Sequence, residues 1–208
     1  MNHIFTDVTE LPSVDGLKRE LQALAMLDSI LMPDWELRYF SFNSKWGLGE
    51  TMGSMRDGQG NGFFFLFSSA GVVGKIYCRG VAQKEHTVQE LKKIPGGFSS
   101  FLNEPAFGIN TEAMYYLWRQ QRDGLWSLIP QDTVGIPLLA FIANRGSYYH
   151  KWAEDYYETE LDIKSIEAIY QWQPLTEKFI LTLNPDAEIE GVFLDAKEIG
   201  YPSRRQPR

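Results

Sequence analysis

The chain has 208 residues, of which 44% are hydrophobic and 23% are charged, and its formal net charge is −7. This composition excludes disordered and collagen-like chains and predicts one globular domain, with or without a helical extension. The acidic balance repels phosphate backbones, which argues against a nucleic-acid binder and suits a basic protein partner.

The cellular compartment is predicted from the cysteine content and from the start of the chain. Cys78 is the single cysteine, so no intramolecular disulfide can form, and no CxxC motif or Cys/His cluster is present to hold zinc. Residues 1–7 lack the basic segment and apolar run of a secretory signal, and no later stretch approaches the ~18 apolar residues of a membrane span. We therefore expect a cytoplasmic, soluble protein that does not bind membranes.

The first half of the chain begins with a helical pattern and continues with strands. Leucines recur at helical spacing from Leu17 to Leu31 and predict an amphipathic helix packed on something flat, capped by Ser13 or Asp15. Alternation over residues 35–42 predicts a half-buried strand. Turn-rich segments then separate strand patterns at residues 50–56, 63–67 and 72–78, which is typical of an antiparallel meander. The unbroken apolar run of the second of these indicates a central strand covered on both faces.

The second half adds a hairpin and then several helices. After a helical pattern at 87–93, strands are predicted at 113–119 and 125–129, with Trp118 and Trp126 on or near this hairpin. Helices are predicted at 138–143, at 147–160, after Asp162, and from Pro174 to Asn184.

These elements together favour one fold class. The strands form one block flanked by helices without βαβ alternation, which predicts an α+β fold with an antiparallel sheet of about five or six strands. We assign residues 1–135 to the sheet domain and 136–208 to a C-terminal helical segment packed on the same domain.

Several possible chemical motifs do not support a catalytic or metal site. Cys78 lies in an apolar run, where free cysteine is usually buried, although His86 follows close behind it as a possible base. His3, His86 and His150 do not have ligand spacing, and the pair formed by His150 and Glu154 lacks a third ligand. The glycine-rich residues 57–62 lie between two strands and are interpreted as a hairpin loop. We therefore predict no metal and no cofactor.

An acidic segment is the main candidate for a binding surface. Residues 154–162 place five carboxylates on and after one amphipathic helix. Such a run is either a solvated helix face or a patch that docks a basic partner, since opposed potentials speed encounter and aromatic residues anchor interfaces. The predicted partner-binding residues are Glu154, Asp155, Tyr157, Glu158, Trp118 and Trp126.

Two segments resemble a known family. Residues 94–102, Ile-Pro-Gly-Gly-Phe-Ser-Ser-Phe-Leu, resemble a proline, aromatic and short-helix segment of the SUKH superfamily, the Smi/Knr-like α+β domains common among bacterial immunity proteins. Residues 116–119 and 123–126 are similar to a strand pair in small bacterial proteins encoded beside polymorphic toxins. The resemblance implies a non-catalytic domain that binds and neutralises a cognate toxin, and it supplies no catalytic residues.

Three functional hypotheses follow from the sequence. The first is a bacterial, non-catalytic protein-binding protein of immunity type that uses its acidic, aromatic-bearing surface. The second is a small hydrolase in which Cys78, His86 or a carboxylate pair acts in an aromatic-lined cleft. The third is a small-ligand binding module on the curved sheet, with Trp118 and Trp126 stacking on the ligand. The sequence leaves the oligomeric state open.

Overall fold

A computed structural model describes residues 8–79, 86–107, 113–122, 124–130 and 137–204. The six strands of its antiparallel sheet lie side by side in chain order. They are β1 (Phe40–Gly47), β2 (Glu50–Arg56), β3 (Gly62–Ser68), β4 (Gly71–Tyr77), β5 (Tyr115–Gln120) and β6 (Ser127–Ile129). The predicted α+β fold with its antiparallel meander is confirmed.

Alternation along the strands divides the side chains between two covered faces. On β3, Phe63, Phe65 and Phe67 point to the face that we call inner, and Phe64 and Leu66 point to the outer face. Each face belongs to its own hydrophobic cluster. The prediction of a central strand covered on both faces is confirmed for β3.

Helix α1 (Val14–Leu31) packs on the inner face. The Ser13 side chain caps it by accepting the Gly16 N–H at 3.2 Å. Asp15 and Arg19 in its first turns are exposed, but from Glu20 to Ile30 every residue is buried, including Glu20 and Asp28. The predicted amphipathic character therefore holds only for the first turns, because the C-terminal helices cover the polar side of α1 from Glu20 onward.

Five C-terminal helices complete the layer on the inner side of the sheet. They are α4 (Ala140–Ala143), α5 (Arg145–Tyr157), α6 (Ile163–Tyr170), α7 (Glu177–Leu183) and α8 (Ile189–Ile199). Two short helices, α2 (Val88–Leu91) and α3 (Ser99–Asn103), precede them in the chain and lie on the outer side of the sheet. All five contact α1, and α8 also contacts β1. The predicted boundary at residue 135 falls in 131–136, outside the described residues.

Helix α8 was not predicted, although its ends carry ordinary signals. The Glu188 side chain caps its N-terminus by accepting backbone N–H groups. Gly200, with φ of +77°, takes the left-handed conformation that ends a helix and that glycine adopts without strain.

Short helices cover part of the outer face. They are α2 (Val88–Leu91), α3 (Ser99–Asn103) and two 3-10 turns, Gly96–Phe98 and Pro105–Phe107. With the outer-face residues of β3 to β6 they form a second cluster, which we call the outer core. Ser41 and Asn43 on the outer face of β1 remain only partly buried. The cover therefore leaves the β1 side of this face accessible.

The predicted strand over residues 35–42 is wrong in its first half. Trp35–Leu37 form a 3-10 helix, and the Asp34 side chain caps it by accepting the Glu36 N–H at 3.1 Å. Such local side-chain bonds offer the backbone an alternative to strand pairing. Trp35 and Leu37 consequently lie outside the sheet and are more than half exposed.

The structure also bears on the membrane prediction. None of the helices in the described part of the chain combines the length and the hydropathy that a bilayer-spanning helix requires.

Candidate functional site

A groove of about 260 Å³ follows edge strand β1. It lies over the outer face of β1, β2 and β3 and reaches round the strand to α8. We call it the edge groove. It exists because the outer core stops short of β1, so no helix of the described residues fills the space above the first two strands.

The floor of the edge groove is polar. Ser41 on β1 is directly opposite Ser54 on β2. Asn43 and Met52 are opposite each other two residues further along the strands and lie on the same face. The Ser41 hydroxyl is buried and has no hydrogen-bond partner among the described residues. A buried hydroxyl without a partner is costly, and a rotation of the Ser41 side chain into the groove would let it bond to a ligand that supplies a donor or acceptor.

The sides of the edge groove are aromatic. They include Trp35, Trp46 and Phe64. Trp46 stacks on Phe107 with ring centroids 5.2 Å apart, so the outer core holds this ring in place. Trp35 is 54% exposed and is held by the Arg56 guanidinium, which lies 5.1 Å from its ring centroid. Two indoles at one groove offer stacking surfaces to a flat or hydrocarbon group.

The charges at the edge groove nearly balance. Arg38 forms an ion pair with Asp195 of α8 at 2.8 Å and also donates to the carbonyls of Met32 and Pro33. These bonds of the guanidinium join α8 to the loop after α1. Arg56 and Glu198 are the remaining charged lining residues and have opposite signs. The arrangement favours an uncharged ligand over a strongly charged one.

The acidic segment predicted as a binding surface lies on α5 and in the loop that follows it. Asp155 and Glu158 are exposed, whereas Glu154 is partly engaged within the protein. Its carboxylate accepts the Leu161 N–H at 3.1 Å and lies 3.2 Å from the His150 ring. Glu154 thus closes the turn between α5 and α6 and leaves Asp155 and Glu158 to face solvent.

The aromatic residues predicted to bind a partner are directed inward. Trp118 is 8% exposed and belongs to the outer core. The Trp126 indole donates to the Pro12 carbonyl at 2.9 Å and so anchors the segment before α1. The Tyr157 hydroxyl donates to the Asp28 carboxylate at 3.2 Å. In this conformation these three side chains offer a partner little surface, and their partner-binding role stays a prediction.

Burial and backbone contacts affect the residues considered for nucleophilic chemistry. Burial raises the pKa of the Cys78 thiol, which disfavours the thiolate needed for attack. The His86 Nε2 lies 3.0 Å from the Ala113 carbonyl and 3.2 Å from that of Met114. Within the described residues, no three side chains of His, Cys, Asp or Glu converge as metal ligands would, and His3 lies outside that part of the chain.

Comparisons with known protein families, with curated proteins and with solved structures find no match to this chain. The resemblance of residues 94–102 to the SUKH superfamily therefore stays a prediction. In the structure this segment forms the 3-10 turn and α3 that cover the outer core.

Stacking of Trp118 and Trp126 on a ligand, the third hypothesis from the sequence, stays a prediction. The edge groove uses Trp35 and Trp46, while Trp118 and Trp126 lie elsewhere. The serines on its floor could have been noticed as small polar residues at alternate positions of neighbouring strands. Their direct pairing depends on the strand register, which the sequence did not specify.

Proposed function

We propose that this protein binds a small, uncharged ligand in the edge groove. The ligand carries a ring or compact hydrocarbon part and at least one hydrogen-bonding group. The observation that carries this proposal is the combination of indole sides with the buried, unpartnered Ser41 hydroxyl in one groove. Ligand sites typically combine apolar walls with a few placed polar groups in this way.

The size of the groove limits the size of the ligand. Its volume of about 260 Å³ lies just below that of common ligand pockets, which hold ~300 to 1,000 Å³. A ligand with a single ring therefore fits better than a cofactor-sized molecule. Benzyl alcohol has this chemistry, since it joins one aromatic ring to one hydroxyl, and it is a suitable probe.

Benzyl alcohol is expected to bind saturably and to shift the backbone amide signals of β1 and β2. Its dissociation constant should lie in the millimolar range, which corresponds to about 0.5 kcal/mol for each of its eight heavy atoms, between the bounds of about 0.3 and 1.5 kcal/mol. We expect Trp46→Leu to weaken binding at least about fivefold through lost stacking. Ser41→Ala should weaken it about two- to fivefold through one lost hydrogen bond. Titrations followed by two-dimensional NMR measure these constants.

Leu48→Ala is the matched control for this titration. Leu48 is fully exposed in the turn after β1 and does not line the groove, so its replacement should leave the constant unchanged. Non-saturable shifts, or equal affinity in wild type and the Trp46 variant, would contradict the proposal.

A second candidate function rests on the charge of the C-terminal helices. Residues 137–204 contain twelve acidic and six basic side chains, so this segment carries most of the excess negative charge. Asp155 and Glu158 are exposed there. We propose this surface, which we call the acidic face, as the docking site for a basic protein partner, in keeping with the immunity-type hypothesis. Opposed potentials would mainly accelerate association.

Charge reversal tests the acidic face. Tagged wild-type protein should capture a stoichiometric basic protein from a lysate of the source organism, and raised salt should release it. Asp155→Lys combined with Glu158→Lys should abolish capture, whereas Glu10→Lys, an exposed change at the other end of the chain, should not. Equal capture by both variants would remove α5 from the interface.

A further inference from the structure

Lys75 is a buried amine in the middle of the outer core. It points to the outer face of β4, where it is directly opposite Phe64 of β3 on one side and Tyr116 of β5 on the other. Its side chain has no solvent-accessible surface, and its Nζ has no hydrogen-bond partner among the described residues. Lysine is almost never fully buried without a partner, so this position calls for an explanation.

Aromatic rings surround this amine. Its Nζ lies 4.9 Å from the centroid of the Phe101 ring. Phe107 packs against Phe101 at 4.9 Å and against Phe64 at 5.5 Å between centroids. Together with Tyr116 these residues form what we call the lysine cage. Glu104 acts on Lys75 only through an electrostatic interaction that the burial of the amine outweighs.

The surroundings favour the uncharged amine. Burial lowers the pKa of Lys75 to about 8. About a tenth of such amines are neutral at pH 7, against fewer than about one in a thousand for a lysine of ordinary pKa. The neutral amine is the nucleophile, and lysines activated in this way attack carbonyl groups.

We propose that Lys75 condenses with a small apolar aldehyde or ketone to form an imine inside the lysine cage. The amine lone pair attacks the carbonyl carbon and forms the C–N bond. The carbonyl oxygen then leaves as water with the two protons of the amine, and a C=N bond remains. The imine is neutral, so it replaces a charged group that the aromatic surroundings disfavour.

The lysine cage adjoins the edge groove without depending on it. Phe64 lines the groove and is the cross-strand neighbour of Lys75. Phe107 joins the same cage and stacks on Trp46 of the groove. A small carbonyl compound that enters beside Trp46 is therefore separated from the amine by these two rings. The reaction concerns Lys75 itself and goes beyond ligand binding in the groove.

Propanal with sodium cyanoborohydride tests this proposal on the folded protein, because the reductant converts the imine into a stable propylamine. Peptide mass mapping then follows Lys75 beside the exposed Lys92 and Lys93 of the same molecule. We expect Lys75 to be labelled at pH 7 at least as fast as those two. Between pH 7 and 9 the rate of imine formation at Lys75 should rise about tenfold, because the neutral fraction of its amine rises about tenfold. At ordinary lysines the neutral fraction, and with it this rate, should rise about a hundredfold.

Two outcomes would overturn the proposal. In one, Lys75 stays unlabelled when Lys92 and Lys93 are fully modified. In the other, Lys75 is labelled only after urea unfolds the protein. Lys75→Met provides the assignment control, since only the Lys75 peptide should lose its label. A Trp46→Leu protein that has lost benzyl alcohol binding but still labels at Lys75 separates this site from the edge groove.

Discussion

Replacing Asp28 by alanine is expected to lower the free energy of unfolding by about 3–5 kcal/mol, because three buried hydrogen-bond donors lose their acceptor. Asp28 is fully buried on α1. Its carboxylate accepts the Phe40 N–H at 2.9 Å and the Tyr149 hydroxyl at 2.8 Å, in addition to the bond from Tyr157. One side chain thus joins α1 to the start of β1 and to both turns of α5 that face it.

The loss arises from the donors that Asp28→Ala leaves behind. A backbone N–H and two hydroxyls would remain in a region that water does not reach, and each orphaned donor costs about 1–3 kcal/mol. Asp28→Asn keeps one oxygen for the two tyrosines but sets an amide NH2 beside the Phe40 N–H, so it should cost less than alanine while leaving that one donor unpaired. Guanidinium unfolding of the three proteins measures these differences. Asp155→Ala on the exposed side of α5 is the control and should change stability by less than about 0.5 kcal/mol.

The same variants test the ionisation of Asp28. Burial raises its pKa to about 6, against an ordinary value of 3.8. Between these values the folded state holds a proton that the unfolded state has released, so this group makes stability fall as pH rises from about 4 to 6. The contribution is at most about 3 kcal/mol and should vanish in Asp28→Asn. Glu20, whose pKa burial raises to about 7, acts in the same direction in both proteins. An alanine variant within 1 kcal/mol of wild type, or identical pH profiles, would contradict this account of Asp28.

Replacing Lys75 by methionine is expected to raise the free energy of unfolding by about 2–3 kcal/mol at pH 7. The pKa of Lys75 falls from 10.5 to about 8 because its amine is buried. The lowered pKa corresponds to the free energy by which burial in the outer core destabilises the protonated amine. Methionine has a similar length and flexible shape, so it fills the space without the charge.

The sign of the pH effect separates this explanation from better packing alone. Between pH 8 and 10.5 the unfolded state binds a proton that the folded state lacks, so the Lys75 contribution makes stability rise with pH. The advantage of Lys75→Met should be full below pH 8 and should shrink towards pH 10.5. Glu104 and Tyr116 also lie at this site, and burial raises the pKa of Tyr116 to about 12. Unfolding curves at pH 7, 9 and 10 measure the trend. A destabilised methionine variant, or an advantage independent of pH, would contradict it.

The sequence predicted the sheet because its strands carry strong local signals. The run of Phe63 to Phe67 and the turn-rich segments on both sides specify a central strand in a meander. The leucine spacing of α1 predicted the helix, but its polar positions suggested a solvated side. Asp28 and Glu20 are buried only because α5 and α6 pack over them, and such tertiary packing leaves no mark in the local pattern of α1.

The candidate sites were harder to predict because they depend on the pairing register of the strands and on how far the short helices extend over the outer face of the sheet. Lys75 looked like an ordinary polar residue in strand alternation, and only the position of α3 and of the turn at Pro105–Phe107 buries it. Ser41 and Ser54 meet through the pairing of β1 with β2. The partner-binding role of the acidic residues on α5 stays a prediction, and the structure turns Tyr157 inward and engages Glu154 in a loop.

A crystal structure of the protein soaked with benzyl alcohol tests the edge groove most directly. The account predicts one ordered probe molecule, with its ring against Trp46 or Trp35 and its hydroxyl within hydrogen-bond distance of the Ser41 oxygen. The groove should keep its shape, because the outer core and the ion pair between Arg38 and Asp195 hold its sides. A probe bound only elsewhere, or a groove closed by its own side chains, would contradict the claim that this protein binds a small ligand there.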